Sequence, residues 1–331
     1  MNIRGNLQVK NIKPPLFLTV FSIVLMAMMM LGGCSGGNRD VPAAKEIKFG
    51  TLPLIQALPL FAAQEQGFFT AAGLKVELIS FNSAMEKDVA MSARQLAGYF
   101  GDIMTPMVLR SNDVPVKMVA TVFNTTGSRR MFALLAAPNR PTESVSQLAK
   151  EGIAIGSNTI VEYLAVKMLE KQGISPQQTR WVEAKNIPIR LQMLLEGQVP
   201  AAALPEPLAT FAERKGARIL VDDAGMGISD TVLVFSDDFL KQHPEQVRAF
   251  LKAVGKGANY LNNHPEEARL IANKHCRIPE GLAKTLILPS YPTLSLPNRS
   301  QLADIYGWLR KKGIISRDMT INEMVADGFL P

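Results

Sequence analysis

The sequence predicts an α/β fold of two lobes, each built on a largely parallel sheet. Three observations carry this. From Lys45 to about residue 123, short apolar runs alternate with helical patterns, the signature of βα units. A second alternating series opens after Asn124–Arg130 and ends in ARILV. Short polar segments near 124–130 and 222–230 bound that second series, and the apolar stretch Thr231–Ser236 offers a strand that returns to the first lobe.

Taken in order, IKFGTL reads as a strand, PLFAAQEQGFF as a helix and LKVELISF as a strand. A helix around MEKDVAMSARQ, the strand AGYFG, the helix IMTPMVLRS and the strand VKMVATVF complete the first series. In the second, MFALLAA and GIAIG are strands, Ile160–Gln172 is a helix and TRWVEA a strand. Ile187–Glu196 is helical, AAAL extended, Pro205–Lys215 helical and ARILV extended; everything after TVLVFS reads as helix. The expected partition gives residues 45–124 plus 230–331 to lobe I and 125–229 to lobe II. Two crossovers then join the lobes, with a hinged cleft between them. Small ligands collect in such clefts, and hinges are short loop segments that absorb dihedral change.

The first 45 residues carry a different message. Residues 1–15 hold Arg4, Lys10 and Lys13 with no acid, and Leu16–Leu31 is almost uninterrupted apolar sequence. A membrane-spanning helix needs about 20 apolar residues, so residues 1–33 read as an export signal rather than an anchor helix. Leu31-Gly32-Gly33-Cys34 resembles the bacterial lipoprotein box, in which cleavage precedes the cysteine and its thiol receives a diacylglycerol. The resemblance implies that Cys34 is the lipid attachment point and the first residue of the mature chain. Acyl chains contribute about 0.8 kcal/mol per buried CH₂, so two or three of them anchor a protein essentially permanently. Residues 34–44, small and polar, suit a flexible tether.

Composition narrows the function classes. Losing the signal removes three positive charges, so the formal +7 falls to +4, a mild surplus without the basic run that nucleic-acid binding requires. Cys276 is the only other cysteine and has no partner for an intrachain disulfide. G-x-G-x-x-G, a P-loop and G-x-S-x-G are absent. His275-Cys276 is an adjacent pair without clustered ligands, and adjacent helical residues point apart, so no metal site is expected. His243 and His264 each open a helix as H-P-E, a capping pattern. No catalytic group and no cofactor are expected.

Candidate binding residues fall in loops that follow strands, where helix N-termini offer free N–H groups. Ser157 and Asn158 lie in GSNT, Asn82 and Ser83 in FNSA, and Asp102 in FGDIM. Helix capping explains each of these equally well. Glu206, between two prolines in LPEPLA, reads as the start of a helix facing the crossover. Asn124 and Thr125 belong to the expected hinge.

A resemblance extends this reading. IKFGTLPLIQALPLFAAQEQGFFTAAGLKVELISF resembles the opening of solute-binding proteins of the nitrate, sulfonate, taurine and thiamine-pyrimidine ABC importers. GIAIGSNTIVEYLAVKMLEKQGI, AALPEPLATFAE and QHPEQVRAFLKAVGKGANYLNNHPEEARLIANK resemble later segments of that family, in the right order. The resemblance implies a type II periplasmic-binding-protein fold with a ligand clamped between its lobes. It also implies that the loop carrying Leu54 and Gln56 lines the cleft and that the Glu-Pro at Glu206 meets it. The chain would then be a lipid-anchored, extracytoplasmic monomer. It would bind a sulfonate-, taurine-, nitrate- or pyrimidine-like small molecule and deliver it to an ABC permease. The alternatives are a ligand-sensing module for a signalling partner and a thiamine-pyrimidine-synthase-like enzyme. The histidine- and cysteine-rich iron site of such enzymes has no counterpart in this sequence.

The lipid reading has a direct check. Cys34→Ser should abolish lipidation and release the chain from the membrane or leave its signal uncleaved. Metabolic palmitate labelling that persists in this variant overturns it.

Overall fold

Among the described residues ten short strands carry the architecture: β1 (Ile47–Thr51), β2 (Val76–Ser80), β3 (Gly98–Asp102), β4 (Val116–Phe123) and β5 (Phe132–Ala136), then β6 (Ile153–Ile155), β7 (Trp181–Glu183), β8 (Ala201–Pro205), β9 (Arg218–Asp222) and β10 (Thr231–Ser236). They belong to a computed structural model that describes residues 46–125, 129–138, 140 and 143–331. The export signal, Cys34 and the tether lie outside the described residues. The strands form two five-stranded sheets, β2-β1-β3-β10-β4 and β7-β6-β8-β5-β9. In the first, β1 is parallel to β2 and β3, while β10 is antiparallel to β3 and β4. In the second, β6 is parallel to β7 and β8, while β5 is antiparallel to β8 and β9.

The two sheets share one wiring. β6, β7 and β8 stand where β1, β2 and β3 stand, β5 stands in the place of β10, and β9 in that of β4. Each sheet therefore holds one strand reached from the other, and the return crossing expected at 231–236 is real. β4 ends at Phe123, and β5 opens at Phe132 opposite Pro205, the end of β8. β9 ends at Asp222 opposite Ala133, and β10 opens at Thr231 between Asp102 and Phe123. Both crossovers thus join the edges at which the parallel strands end. Central strands such as β8, buried along their whole length, are the continuous apolar runs that a doubly covered sheet requires.

Two readings need correction. The helix expected over Pro205–Lys215 begins only at Leu208. Pairing of β8 with β5 runs through Pro205, and Glu206 N–H donates to Met131 O at 2.8 Å, which holds both residues extended. The Glu206–Pro207 peptide is cis. The tail after Ser236 is not all helix either. Helices Asp237–Gln242, Pro244–Asn263 and Pro265–His275 are followed, after one short turn, by extended chain as far as Asn298, pinned where Thr121 N–H meets Ser295 O at 2.7 Å. Helix Arg299–Lys311 then lies on helix Ile160–Lys171. Tyr163 Oη donates to Asp304 at 2.6 Å, Lys167 pairs with Asp304 at 3.0 Å and Lys312 with Glu162 at 2.5 Å. Leu302, Ile305 and Leu309 share one apolar core with Met118 and Val232 of the first sheet and Leu164 of the second lobe. Among the described residues no helix is long and apolar enough to cross a membrane.

Helix Pro244–Asn263 packs on helix Leu58–Glu65, with Phe250 between Phe49 and Phe235 at ring separations of 4.7 and 5.3 Å. The contact is close because residue 257 is glycine. A Cβ there would fall 2.2 Å from Pro59 O, whereas at Gly255 nothing stands within 4 Å. Gly255→Ala should therefore stabilise the protein by about 0.5–1 kcal/mol through helix propensity. Gly257→Ala should destabilise it by about 2 kcal/mol or more through overpacking. Denaturant unfolding of both variants checks the pair; equal effects would mean that the helices are not in backbone contact.

Candidate functional site

The strand ends of the first sheet are occupied by their own side chains. Asp102 Oδ1 accepts from Met104 N (2.9 Å) and Thr105 N (2.8 Å), and its Oδ2 from the Thr105 hydroxyl (2.9 Å). Ser83 caps helix Ala84–Ser92 by accepting from Glu86 N, and Asn82 N–H donates to Glu86 Oε2 at 3.2 Å. Asn82 is exposed and its side-chain carbonyl takes a hydrogen bond from Arg277. Leu54 is half-buried against the main core.

The equivalent loop in the second sheet is filled in the same way. Ser157 N–H donates to Glu183 (3.1 Å), and Asn158 N–H donates to Glu162 (2.7 Å). Thr159 caps helix Ile160–Lys171. Asn158 adopts a left-handed conformation at φ 60°, which asparagine tolerates better than most residues. The amides expected to receive an anionic ligand are thus held by carboxylates of this chain.

Glu206 is buried and ion-paired. Arg130 Nε donates to its Oε1 at 2.7 Å, Thr210 N–H to its Oε2 at 3.1 Å, and Arg130 also reaches Glu213 at 2.7 Å. The pairing offsets the negative charge that Glu206 would otherwise present to the cavity. Arg130 and Glu206 line a cavity of about 350 Å³ that Ile55, Asp222 and Leu286 also border, so it touches both sheets' strand-end loops and the tail. A larger cavity, about 550 Å³, opens at the opposite end of the first sheet beside Lys48 and Pro115 and holds none of the candidate residues.

At and beside the crossovers several side-chain groups lack partners. Gln56 (3 % exposed) and Thr125 (2 % exposed) are buried, and Gln56 Oε1, Thr125 Oγ1, Asn124 Oδ1 and Thr231 Oγ1 have no hydrogen-bond partner among the described residues. The turn Ile55–Ala57 packs on β4, which leads directly to Asn124, so these groups converge where β4 leaves and β10 enters the first sheet. Beneath them Asp223, fully buried, accepts from Met131 N (2.7 Å), Phe132 N (2.9 Å) and the Ser229 hydroxyl. Burial pushes the neighbouring Asp230 carboxyl up to about 6.

Of the expected residues, then, Gln56, Asn124 and Thr125 are brought together unpaired. Glu206 faces the cavity with its charge answered, and Asn82, Ser83, Asp102, Ser157 and Asn158 are engaged locally. Arg130 and Arg190 were not singled out from sequence as site residues. Arg190 is almost fully buried, its Nε donating to Ala203 O and Nη1 to Ala184 O, and its Nη2 has no partner among the described residues. The histidines lie elsewhere and neither His243 nor His264 caps by its side chain. The His243 ring packs on Phe239, while His264 stacks on Tyr260 and bonds its carbonyl. Among the described residues no group of three or more potential metal ligands assembles.

Comparison with known proteins places these features in a family. The family described as NMT1/THI5 like matches residues 55–268. The chain is 23 % identical over 360 residues to the riboflavin-binding protein RibY of Chloroflexus aurantiacus, covering 95 % of this chain and 98 % of that one. It is 25 % identical to a Bacillus subtilis protein named for aliphatic sulfonates binding, over 74 % of this chain and 75 % of that one. Its fold is similar to that of the periplasmic aliphatic sulphonate binding protein SsuA from Escherichia coli, with a TM-score of 0.75 at 12 % identity over 85 % of this chain and 92 % of that one. The desulfurization enzyme DSZB is also similar in fold, with a TM-score of 0.65 at 15 % identity over 86 % of this chain and 97 % of that one.

Asp230 gives the crossover a pH signature. Its carboxyl ordinarily titrates near 3.8 and in the folded chain near 6, so the native state binds more protons across that window. Stability from this group is full below about pH 4 and is lost as pH rises through 6, on the order of 2–3 kcal/mol. Asp230→Asn should remove that difference. Denaturant unfolding of both proteins at pH 4, 5.5 and 7.5 measures it, and parallel profiles would exclude Asp230 as the source.

Proposed function

Because the chain belongs to the NMT1/THI5-like family, we propose that it is the extracytoplasmic solute-binding component of an ABC importer. It is held to a membrane through Cys34, acts as a monomer and passes a small solute to the permease. One observation carries the reading: buried polar atoms of Gln56, Asn124, Thr125 and Thr231 stand near the junction of two lobes without a hydrogen-bond partner among the described residues. A buried polar group left without a partner costs about 1–3 kcal/mol, and chains place such groups where something else completes them. Here the missing partner is the solute. The RibY and sulfonate-binding relatives suggest its class: a sulfonate-, taurine- or nitrate-like ion, or a pyrimidine- or flavin-like ring.

The mechanism follows from the wiring. Gln56 belongs to the first lobe, Asn124 and Thr125 to the crossover, and Glu206 with Arg130 to the wall of the second. A solute that bonds both walls binds the closed form better than the open one, and that difference alone drives closure. The reading as a non-enzyme rests on what borders the cavity: the hydroxyls of Thr210 and Thr285, the guanidinium groups of Arg129, Arg130 and Arg214, and the carboxylates of Glu206 and Asp222, with neither histidine nor thiol in the lining. The fold does not decide this, since a desulfurization enzyme has a similar one. A ligand-sensing module would use the same site and differ only in its partner.

A thermal-shift screen of sulfonates, taurine, nitrate, pyrimidines and riboflavin identifies the solute, and calorimetry tests the site. Thr125→Val and Gln56→Ala should weaken binding about 5- to 150-fold, the value of one hydrogen bond of 1–3 kcal/mol. Thr125→Val should leave the unliganded protein as stable as before, because the hydroxyl it removes is unpaired. Ser83→Ala should do the reverse, losing about 1 kcal/mol of stability through its cap and no affinity. Wild-type binding in both crossover variants would place the solute elsewhere.

A further inference from the structure

Residues 277–291 leave helix Pro265–His275 as a strap that joins neither sheet. Pro279 and Pro289 remove two of its amide donors, which unfits it for a strand ladder. Beyond the single turn Glu280–Leu282 it runs along the cavity that Arg130 and Glu206 line, and Thr285, Leu286, Ile287 and Pro289 supply one wall of it. That wall has space beside it twice over. Leu286, Ile287 and Pro289 also border a second, separate cavity of about 250 Å³, backed by Leu261, Pro265 and Arg269 of two helices. Folded interiors are close-packed and hold few such voids. A single stretch of chain between two of them has room to move and little packing to hold it.

The strap is fixed at its ends and contested in its middle. Arg277 N–H donates to Pro53 O at 3.2 Å. Tyr291 exchanges two bonds with the Asn262 side chain (2.8 and 2.9 Å), and its hydroxyl donates to Ile55 O at 2.8 Å. Between these anchors, side chains reach the strap from two directions. Arg214, closing the helix Leu208–Arg214 between β8 and β9, donates to Gly281 O (3.1 Å) and to the Thr285 hydroxyl (2.8 Å). Arg129 reaches Ile287 O at 3.5 Å. From helix Pro265–His275, Asn273 reaches Ala283 O at 3.4 Å and Arg269 reaches Lys284 O at 3.5 Å. Only the Arg214 bonds are short, so the strap sits hooked to the second sheet's helix with the opposite set barely engaged. Neither Arg129 nor Arg214 has an ion pair among the described residues, so no carboxylate holds either away from the strap.

We propose that residues 277–291 are a gate with two positions. Hooked on Arg214 they wall the cavity, and drawn back into the second cavity onto Asn273 and Arg269 they open it. This rests on the solute-binding reading and assigns the solute its path, in and out past Leu286 and Ile287. Arg214 is the latch, and its guanidinium serves the strap rather than the solute. An exposed guanidinium exchanges neutral oxygens for water at small cost, which is what a latch that must release requires.

Amide chemical shifts of residues 280–290 test the gate without a solute, in the full mature chain. The variants are Arg214→Ala, which frees the strap from one side, and the double variant Arg269→Ala/Asn273→Ala, which frees it from the other. If the strap exchanges between two positions, each amide's shifts fall on one line through the wild type, displaced in opposite directions by the two variants. Shifts in unrelated directions, or confined to the neighbours of each substitution, overturn the gate, because a fixed wall has no second position to populate. Stopped-flow fluorescence with riboflavin and ethanesulfonate reads the consequence for binding. For whichever probe binds the wild type, on- and off-rates should rise together in Arg214→Ala, by about threefold or more, with affinity kept within about threefold. A rise in off-rate alone makes Arg214 a contact of the solute and overturns the gate. If the shifts are collinear but neither probe nor the wider screen binds, the strap's two positions stand and it is the solute-binding reading that fails.

Discussion

Asp223 holds the molecule's two crossings together. Its carboxylate lies at the end of β9, fully buried, and takes the N–H groups of Met131 and Phe132 just where β5 begins. The same carboxylate takes the Ser229 hydroxyl one residue before Asp230 and β10. One side chain therefore ties the outgoing chain to the returning one. Burial works against its charge and pushes its pKa up, while the bonds from Phe132, Ser229 and Met131 favour the charged form. Charge-assisted bonds of this kind are stronger than neutral ones, and the two lobes inherit their relation from them. Anything that binds above this clamp reads the positions of both sheets at once.

The shared wiring of the sheets explains why satisfied and unsatisfied groups segregate. Each parallel strand ends in a loop that opens a helix, and each opening leaves amides without intrahelical partners. The chain fills them locally, with Ser83 and Glu86, Asp102, Thr159 and Glu162, and Asn186. The crossovers have no such helix to cap, and their acids Asp222 and Asp223 serve Ala224, Met131, Phe132 and Ser229 rather than Asn124 or Thr125. Among the described residues, Asn124, Thr125 and Thr231 at the crossings and Gln56 beside them keep side-chain atoms without a partner, as do Tyr99, Thr121 and Gln301 elsewhere. Pseudosymmetry builds the walls, and it is interrupted at the crossings.

That division also sets what the sequence discloses. The strands were legible because each is a short apolar run bounded by turn residues, and the return of Thr231–Ser236 followed from an apolar segment with no neighbour left in the second series. Gln56, Asn124 and Thr125 could be placed by loop position, but their lack of partners depends on contacts that no local pattern encodes. Glu206 was misplaced because Pro-Glu-Pro suggests a helix start, whereas strand pairing with Phe132 and the Met131 carbonyl governs it. Arg190 was invisible for a different reason. On a helix read from spacing, an arginine two residues beyond the first turn's proline looks like a solvated cation, and only the ends of β6, β7 and β8 show it enclosed. The tail's extended stretch pairs with residue 121, far away in the chain, a contact that helical periodicity does not encode.

The tail matters to the site through one residue. Glu162 is buried, gives one oxygen to Asn158 N–H in the strand-end loop and the other to Lys312 at the end of helix Arg299–Lys311. Nearby, Asp304 of that helix takes Tyr163 Oη and Lys167. The helix's apolar face is buried in a core that continues into the first sheet. The loop beside Arg190 is thus tethered, through a single carboxylate, to a helix that both lobes contact. A displacement of one lobe against the other cannot leave that helix in register with both, so it must strain either the Tyr163–Asp304 and Lys312–Glu162 bonds or the packing of Leu302, Ile305 and Leu309. The bonds are the weaker restraint, because they lie partly at the surface while the leucines are fully enclosed. A movement of the lobes would therefore load Glu162 first, and through it the amide of Asn158 in the loop that borders the buried guanidinium.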